Sequence, residues 1–356
     1  MKKTILFIAL STLTLSITAQ SIERFDYGFE FVKRVGYYDQ NGLKTGVWKI
    51  IDDNNIMLGA GKYLNGLKTG EWKYYHKNGQ LWDTGVYLKE KRTGKWKTYY
   101  ENGQQKALIN YKDDKYEGEW KKYFNNGNLE EIGKNHNGKQ FGTWKTYRRN
   151  GVLWSTGNYT EGKRSGKWKT YYESGKLYNE GIYSNDKANG VSRTYLENGK
   201  FETIGNFKNG GLEGVWEFYH KNGMLKSTGL YIESKQNGEW KYYNEREQLE
   251  KVVEYIDGKS LNKIWNDSKK LNSLAWSVYK SKTYKEKLAS AIKCAKRSIE
   301  LDKNYYNIDT LAALEYKRGN YPLALKLANN AIELAKSNNL EYNGTIDLIK
   351  SIKEKL

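Results

Sequence analysis

The sequence predicts a β-rich repeat protein with an α-helical end: an elongated, single-layer antiparallel β-meander of about nine hairpins, followed by a small all-α domain. Three observations carry this expectation. Glycine recurs every 24 residues at 46, 70, 94, 118, 142, 166, 190, 214 and 238 with no insertion or deletion. Tryptophan follows two residues later at 48, 72, 96, 120, 144, 168, 216 and 240, with Ser192 the exception. After Gly258 the glycine-aromatic pattern gives way to helical spacing. A fixed period of this length marks a repeat architecture, in which each copy buries its apolar face against its neighbours.

The first element is the N-terminus, where Met1, Lys2 and Lys3 precede an uncharged stretch from Thr4 to Ala19. A basic start, a short apolar run and a small exit residue predict a secretory signal peptide over residues 1–19, cleaved near Ala19. No cysteine lies near that junction, so lipid attachment there is excluded, and the mature chain is expected to be exported, either periplasmic or at the cell surface. Residues 20–45 read as a degenerate leading cap in which Tyr27 and Gly42 keep their slots.

Residues 46–261 are the repeats. In the copy from Gly70 to Thr93, two runs of alternating aromatic and polar residues, Glu71–His76 and Gln80–Leu88, flank Asn78-Gly79, the dipeptide favoured in a two-residue type I′ turn. Equivalent Asn-Gly pairs stand at 102–103, 126–127, 150–151, 198–199 and 222–223. With Lys77 paired to Gln80, Trp72 faces Gly85 and Gly70 faces Tyr87. Each ring then lies over a glycine on the partner strand. Trp72, Tyr74, Leu81 and Tyr87 share one face in this register, and Lys73, Tyr75 and Thr84 the other. The same reasoning makes Gly94 with Trp96, Gly118 with Trp120, Gly142 with Trp144, Gly166 with Trp168, Gly214 with Trp216 and Gly238 with Trp240 structural positions, along with Gly79. Short polar loops such as Lys89–Thr93 and Glu161–Ser165 join the units. Ile109 and Val253 replace the cross-strand glycine, Asn135 a tyrosine and Ser192 a tryptophan, so the copies around 109, 135 and 192 are expected to be the least ordered.

On the face opposite the tryptophans the sequence places lysines at 73, 97, 121, 145 and 169 and tyrosines at 75, 99, 123, 147 and 171. These ten residues, Lys73, Lys97, Lys121, Lys145, Lys169, Tyr75, Tyr99, Tyr123, Tyr147 and Tyr171, form a candidate stripe for an anionic envelope polysaccharide or lipid headgroups. The bland account is a solvated face whose lysines keep long sheets from pairing edge to edge. The net charge of +19 favours anionic partners, and in an exported protein nucleic acid is not among them. A single-layer sheet also leaves its tryptophan face to be covered, and a homodimer through that face is one solution.

At G-x-W-K-x-Y, then N-G-x-L, then G-x-Y, the chain resembles the MORN-repeat superfamily, closest to its longer bacterial variant. The resemblance implies a scaffold, a membrane-associated platform or an assembly module, with no catalytic residue. Because the variant also occurs in antitoxins of toxin–antitoxin modules, it implies an antitoxin or immunity protein as an alternative.

Residues 262–356 form the helical domain. Leu271, Leu274, Ala275 and Val278 recur at i, i+3, i+4 and i+7, as do Leu288, Ile292, Ala295 and Ile299. Ala324, Ala328, Ala331 and Ala335 continue the pattern, with Gly319-Asn320-Tyr321 as a turn and Pro322 opening the next helix. Four or five closely packed helices are expected. The run from Leu311 to Leu334 resembles the tetratricopeptide (TPR) repeat, which implies either a peptide- or protein-binding face or a plain cap on the sheet.

Enzymatic parts are missing from the sequence. His76, His136 and His220 are the three histidines, and Cys294, on a helical pattern, is the lone cysteine. No metal, nucleotide or nucleophile motif accompanies them, so the expectation is a non-enzymatic interaction protein with no cofactor and no metal.

Overall fold

A computed structural model describes residues 20–26 and 31–356. The signal segment and Tyr27 lie outside the described residues. The chain divides into two compact units, one ending at Lys187 and the other starting at Ala188.

The first unit is a meander of 14 strands from Gln20–Asp26 to Leu177–Ser184, each paired antiparallel with the next. Leu67–Tyr75 and Leu81–Leu88 make up the hairpin typical of the repeat. The Asn-Gly turn differs from expectation. Gly79 N–H donates to His76 O (2.9 Å) and His76 N–H to Gln80 O (2.8 Å), so the loop has three residues, with Gly79 alone at positive φ (+83°). This is a β-turn closed by a glycine bulge rather than a type I′ turn. The extra residue is offset by a second bulge before Asp83, and Trp72 still pairs with Gly85 and Gly70 with Tyr87. That second bulge turns Leu81 opposite Tyr75, moving it to the face away from Trp72. Asn suits the turn for a further reason. Asn78 Oδ1 accepts from Gln80 N (3.0 Å), while its Nδ2 donates to Glu101 O of the next hairpin (3.0 Å).

True two-residue turns occur where polar loops were expected. Leu88 pairs with Lys91, leaving Lys89 and Glu90 at φ of +50° and +69°, and residues 91–93 already belong to the next strand. Each such turn bonds back one copy, as Glu90 N does to Lys68 O (3.0 Å). Successive hairpins are therefore stitched at both ends.

The tryptophans cover glycine, but not the one anticipated. Trp72 has a glycine on both sides, Gly61 on the preceding hairpin and Gly85 on its own. Its indole lies over Gly61, and a Cβ added there would fall inside the ring; Gly85 is covered in turn by Trp96. The indole N–H donates to Lys62 O at 3.1 Å, and six other tryptophans repeat the bond, among them Trp48, Trp96 and Trp144. Each ring thus ties its copy to the previous one. Gly70 has nothing near its missing side chain. It is glycine because φ is +66° where the pairing with the preceding strand bulges. The leading cap is filled by Gly36, under Trp48, and by Tyr38, edge-on to it at 5.3 Å.

The effect of Ile109 appears one strand later than expected. Trp120 pairs with Ile109, cannot lie over it, and is the tryptophan whose buried Nε1 has no partner. Asn135, where other copies carry tyrosine, leaves Trp120 and Trp144 in direct contact at 6.4 Å.

In the second unit, strands from Lys187–Tyr195 to Lys259–Ser260 continue the hairpin pattern. Five α-helices follow: α1 (Ser268–Lys280), α2 (Leu288–Leu301), α3 (Tyr305–Arg318), α4 (Tyr321–Ser337) and α5 (Asn343–Lys353). Gly319 ends α3 in a left-handed conformation and Pro322 opens α4, as the sequence indicated. Ala324, Ala328, Ala331 and Ala335 are fully buried, which lets α3 and α4 pack closely. The end of the sheet joins this core through Ile256, the last residue of strand Leu249–Ile256, and Leu261, just after strand Lys259–Ser260.

Candidate functional site

The lysine stripe is continuous in the first unit. Lys73, Thr84, Lys97, Leu108, Lys121, Ile132, Lys145, Thr156 and Lys169 are successive cross-strand neighbours. Lysines on every second strand stand ~10 Å apart. Lys73, Lys97 and Lys145 are exposed, while Lys121 and Lys169 are half-buried, Lys121 against Glu119 at 2.7 Å. Tyr75, Tyr99, Tyr123, Tyr147 and Tyr171, two residues after the lysines, are half-buried on the same face.

The other face is an aromatic spine. Tyr63, Trp72, Tyr87 and Trp96 meet edge to face at 5.3, 6.0 and 5.0 Å, and Trp72 and Trp96 are each only 1% exposed. The rings are buried within the chain itself, so a second copy is not needed to cover them.

Four cations above this spine were not anticipated. Lys44, Lys68, Arg92 and Arg164, each four residues before a tryptophan, lie over Trp48, Trp72, Trp96 and Trp168 at 4.7, 4.5, 4.2 and 5.8 Å. They belong to segments read as loops, which hid their alternation with the tryptophans. Their charges are largely met internally: Lys44 by Glu23 (2.7 Å), Arg92 by Asp83 (3.3 Å) and Arg164 by Asp186 (3.6 Å).

Burial pushes the Asp83 carboxyl up from 3.8 to about 6, against the pull of Arg92. The folded state then holds the proton more tightly than the unfolded chain, so stability falls as pH rises through this window. Over the interval the loss is at most about 3 kcal/mol. Asp83→Asn is expected to flatten this part of the pH profile, read as urea midpoints between about pH 4 and about pH 7.

The helical end carries a concavity of about 840 Å³ between α1 and α3. Lys269, Asn272, Trp276, Tyr305, Tyr306 and Asp309 line it. Asn272 Oδ1 is buried there without a hydrogen-bond partner.

The histidines and the cysteine are accounted for structurally. His76 Nε2 lies 3.0 Å from Tyr99 O and His220 Nε2 lies 2.9 Å from Tyr243 O. Tyr100 and Arg148, in the same slot, also donate to the next copy. His136 sits at 3.0 Å from Glu117. Cys294 is fully buried on α2, and burial raises its thiol to about 12, far from a reactive thiolate. Among the described residues no cluster of His, Cys, Asp and Glu could hold a metal ion.

Hairpins tied copy to copy by indoles and turn asparagines, with paired helices following, define a β-repeat protein with a TPR-like helical end. Six of its repeats are MORN repeats: the family model described as MORN repeat variant matches residues 68–89, 92–113, 116–136, 142–161, 164–185 and 212–233. The structure extends the same hairpin to copies that the family model leaves unmatched, including Lys44–Asp52 with Met57–Leu64. There Asn55, at φ +61°, replaces the turn glycine. A search of curated proteins found no match.

Proposed function

We propose that this protein is an exported, non-enzymatic interaction scaffold, with MORN repeats as the frame and the helical end as the protein-contact site. The observation that carries this reading is the groove between α1 and α3. It combines exposed aromatic surface at Tyr306 with an orphan acceptor, Asn272 Oδ1, which a backbone N–H of a bound segment would satisfy. The full-length chain and its Asn272→Ala and Trp276→Ala variants are compared in crosslinking to envelope proteins. Partners that crosslink equally to all three forms sink the groove as the contact site.

A second reading rests on the continuous lysine row, which suits a linear polyanion. Charge reversal at Lys97, Lys121, Lys145 and Lys169 is expected to abolish retention on a heparin column, and retention of the native chain should weaken steeply with salt. Salt-independent retention, or retention unchanged by the reversal, excludes the row.

A further inference from the structure

The inner face differs from copy to copy two residues after the tryptophan. Tyr74 fills this slot early in the first unit. It stacks on Trp72 at 5.8 Å and brings its hydroxyl to 3.4 Å from that of Tyr87. Phe218 and Tyr242 fill it in the second unit. Between them the slot holds Thr98, Lys122, Thr146, Thr170 and Thr194. At Thr146 the missing ring leaves an open cavity of about 260 Å³ beside the spine.

Its chemistry is mixed in a particular way. The floor is hydroxyl, with Thr146 Oγ1 2.6 Å from Ser155 Oγ. The row continues through cross-strand pairs from Ser155 to Thr170 and from Thr170 to Asn179. Trp168 lies on one side, and on the other stands Trp154, 50% exposed at the bulge next to the turn. One copy later the same bulge position carries Tyr178, 41% exposed. Two strand spacings separate these rings, ~10 Å. Glu131 and Arg164 complete the wall. Arg164 is paired with Asp186, and Lys122, which faces the half-buried Glu131 across the strands, with Glu130 at 2.6 Å; Glu131 itself accepts from Gln140 Nε2 at 3.5 Å.

We propose that this trough binds a neutral, extended β-linked glycan, with one sugar ring against Trp154, a later one against Tyr178, and hydroxyls bonded to Thr146, Ser155 and Glu131. The apolar C–H face of a pyranose matches a half-exposed indole, and its rim of hydroxyls matches a floor that offers both donors and acceptors. An anionic ligand would meet the Glu131 carboxylate beside cations already paired, Arg164 with Asp186 and Lys122 with Glu130, and an apolar ligand would strand the hydroxyl floor. The site is on the face opposite the lysine row and shares no residue with the helical groove, so it is independent of both readings of function above.

Isothermal titration of the full chain with cellohexaose and chitohexaose, and with maltohexaose as the curved α-linked comparator, tests the assignment. At least one β-linked hexasaccharide is expected to bind, with maltohexaose weaker by at least about tenfold. Trp154→Ala and Thr146→Tyr should each weaken binding by about tenfold or more, the latter by restoring the ring that Tyr74 supplies in its own copy. An unchanged melting temperature in Thr146→Tyr separates filling of the trough from misfolding. Charge reversal at Lys97 and Lys145 should leave this binding intact. No binding of either β-linked sugar at millimolar concentration overturns the proposal, as does binding that survives both trough substitutions or a comparator that binds equally well.

Discussion

Gly85→Ile is expected to lower the stability of the first unit by about 3 kcal/mol and to bring Trp96 into contact with solvent. Gly85 has ordinary extended backbone, so the effect is steric: its side-chain position is occupied by the Trp96 ring. Pushing that ring away removes burial that leaves it 1% exposed and breaks its N–H bond to Val86 O (3.2 Å). The chain already contains the outcome. Ile109 stands where Gly85 does one copy earlier, and its tryptophan, Trp120, is half-buried with an unpaired Nε1. The converse substitution, Ile109→Gly, should let Trp120 settle over residue 109 and donate to Asn110 O, a gain of about 1 kcal/mol. Urea denaturation of both variants, with iodide quenching to follow tryptophan exposure, gives the readout. Equal stability of Gly85→Ile and the parent chain would mean that the rings are not what ties one copy to the next.

That pair of positions also shows what could be read from residues alone. The pairing of Trp72 with Gly85 followed from alternation and from the distance to the turn, although the turn was misjudged. A three-residue loop and the bulge near Trp82 shift the register in opposite directions and cancel. The direction of the indole could not be deduced. Glycines flank Trp72 on both sides, and only three-dimensional packing at the Gly70 bulge selects Gly61. The lysine row was legible because a period of two survives both bulges. The trough was not, because it is defined by the absence of a ring at Thr146, and a threonine on a strand is unremarkable without Tyr74 beside it for comparison.

Lys287→Ala should lower the stability of the second unit by about 3 kcal/mol. Lys287 immediately precedes α2 and its ammonium is 2% exposed, 2.6 Å from Asp257 in the final two-residue turn of the sheet. Asn237, itself 1% exposed, steadies that turn by accepting from Asp257 N at 3.0 Å. Removing the lysine strands a carboxylate that is only 23% exposed, whereas removing both charges avoids this cost. Lys287→Met combined with Asp257→Asn is therefore expected to recover most of the stability lost in Lys287→Ala. The consequence reaches beyond stability. Strand Leu249–Ile256 is the last long strand, paired beyond it only with Lys259–Ser260. The helices cover this edge, where Lys293 reaches Glu254 and Ile256 enters their core. Loosening the cap exposes unpaired backbone able to template association with another chain. Lys287→Ala should thus raise light scattering on mild heating, while the double variant stays clear. If both variants lose the same stability and remain clear, the ion pair does not hold the cap.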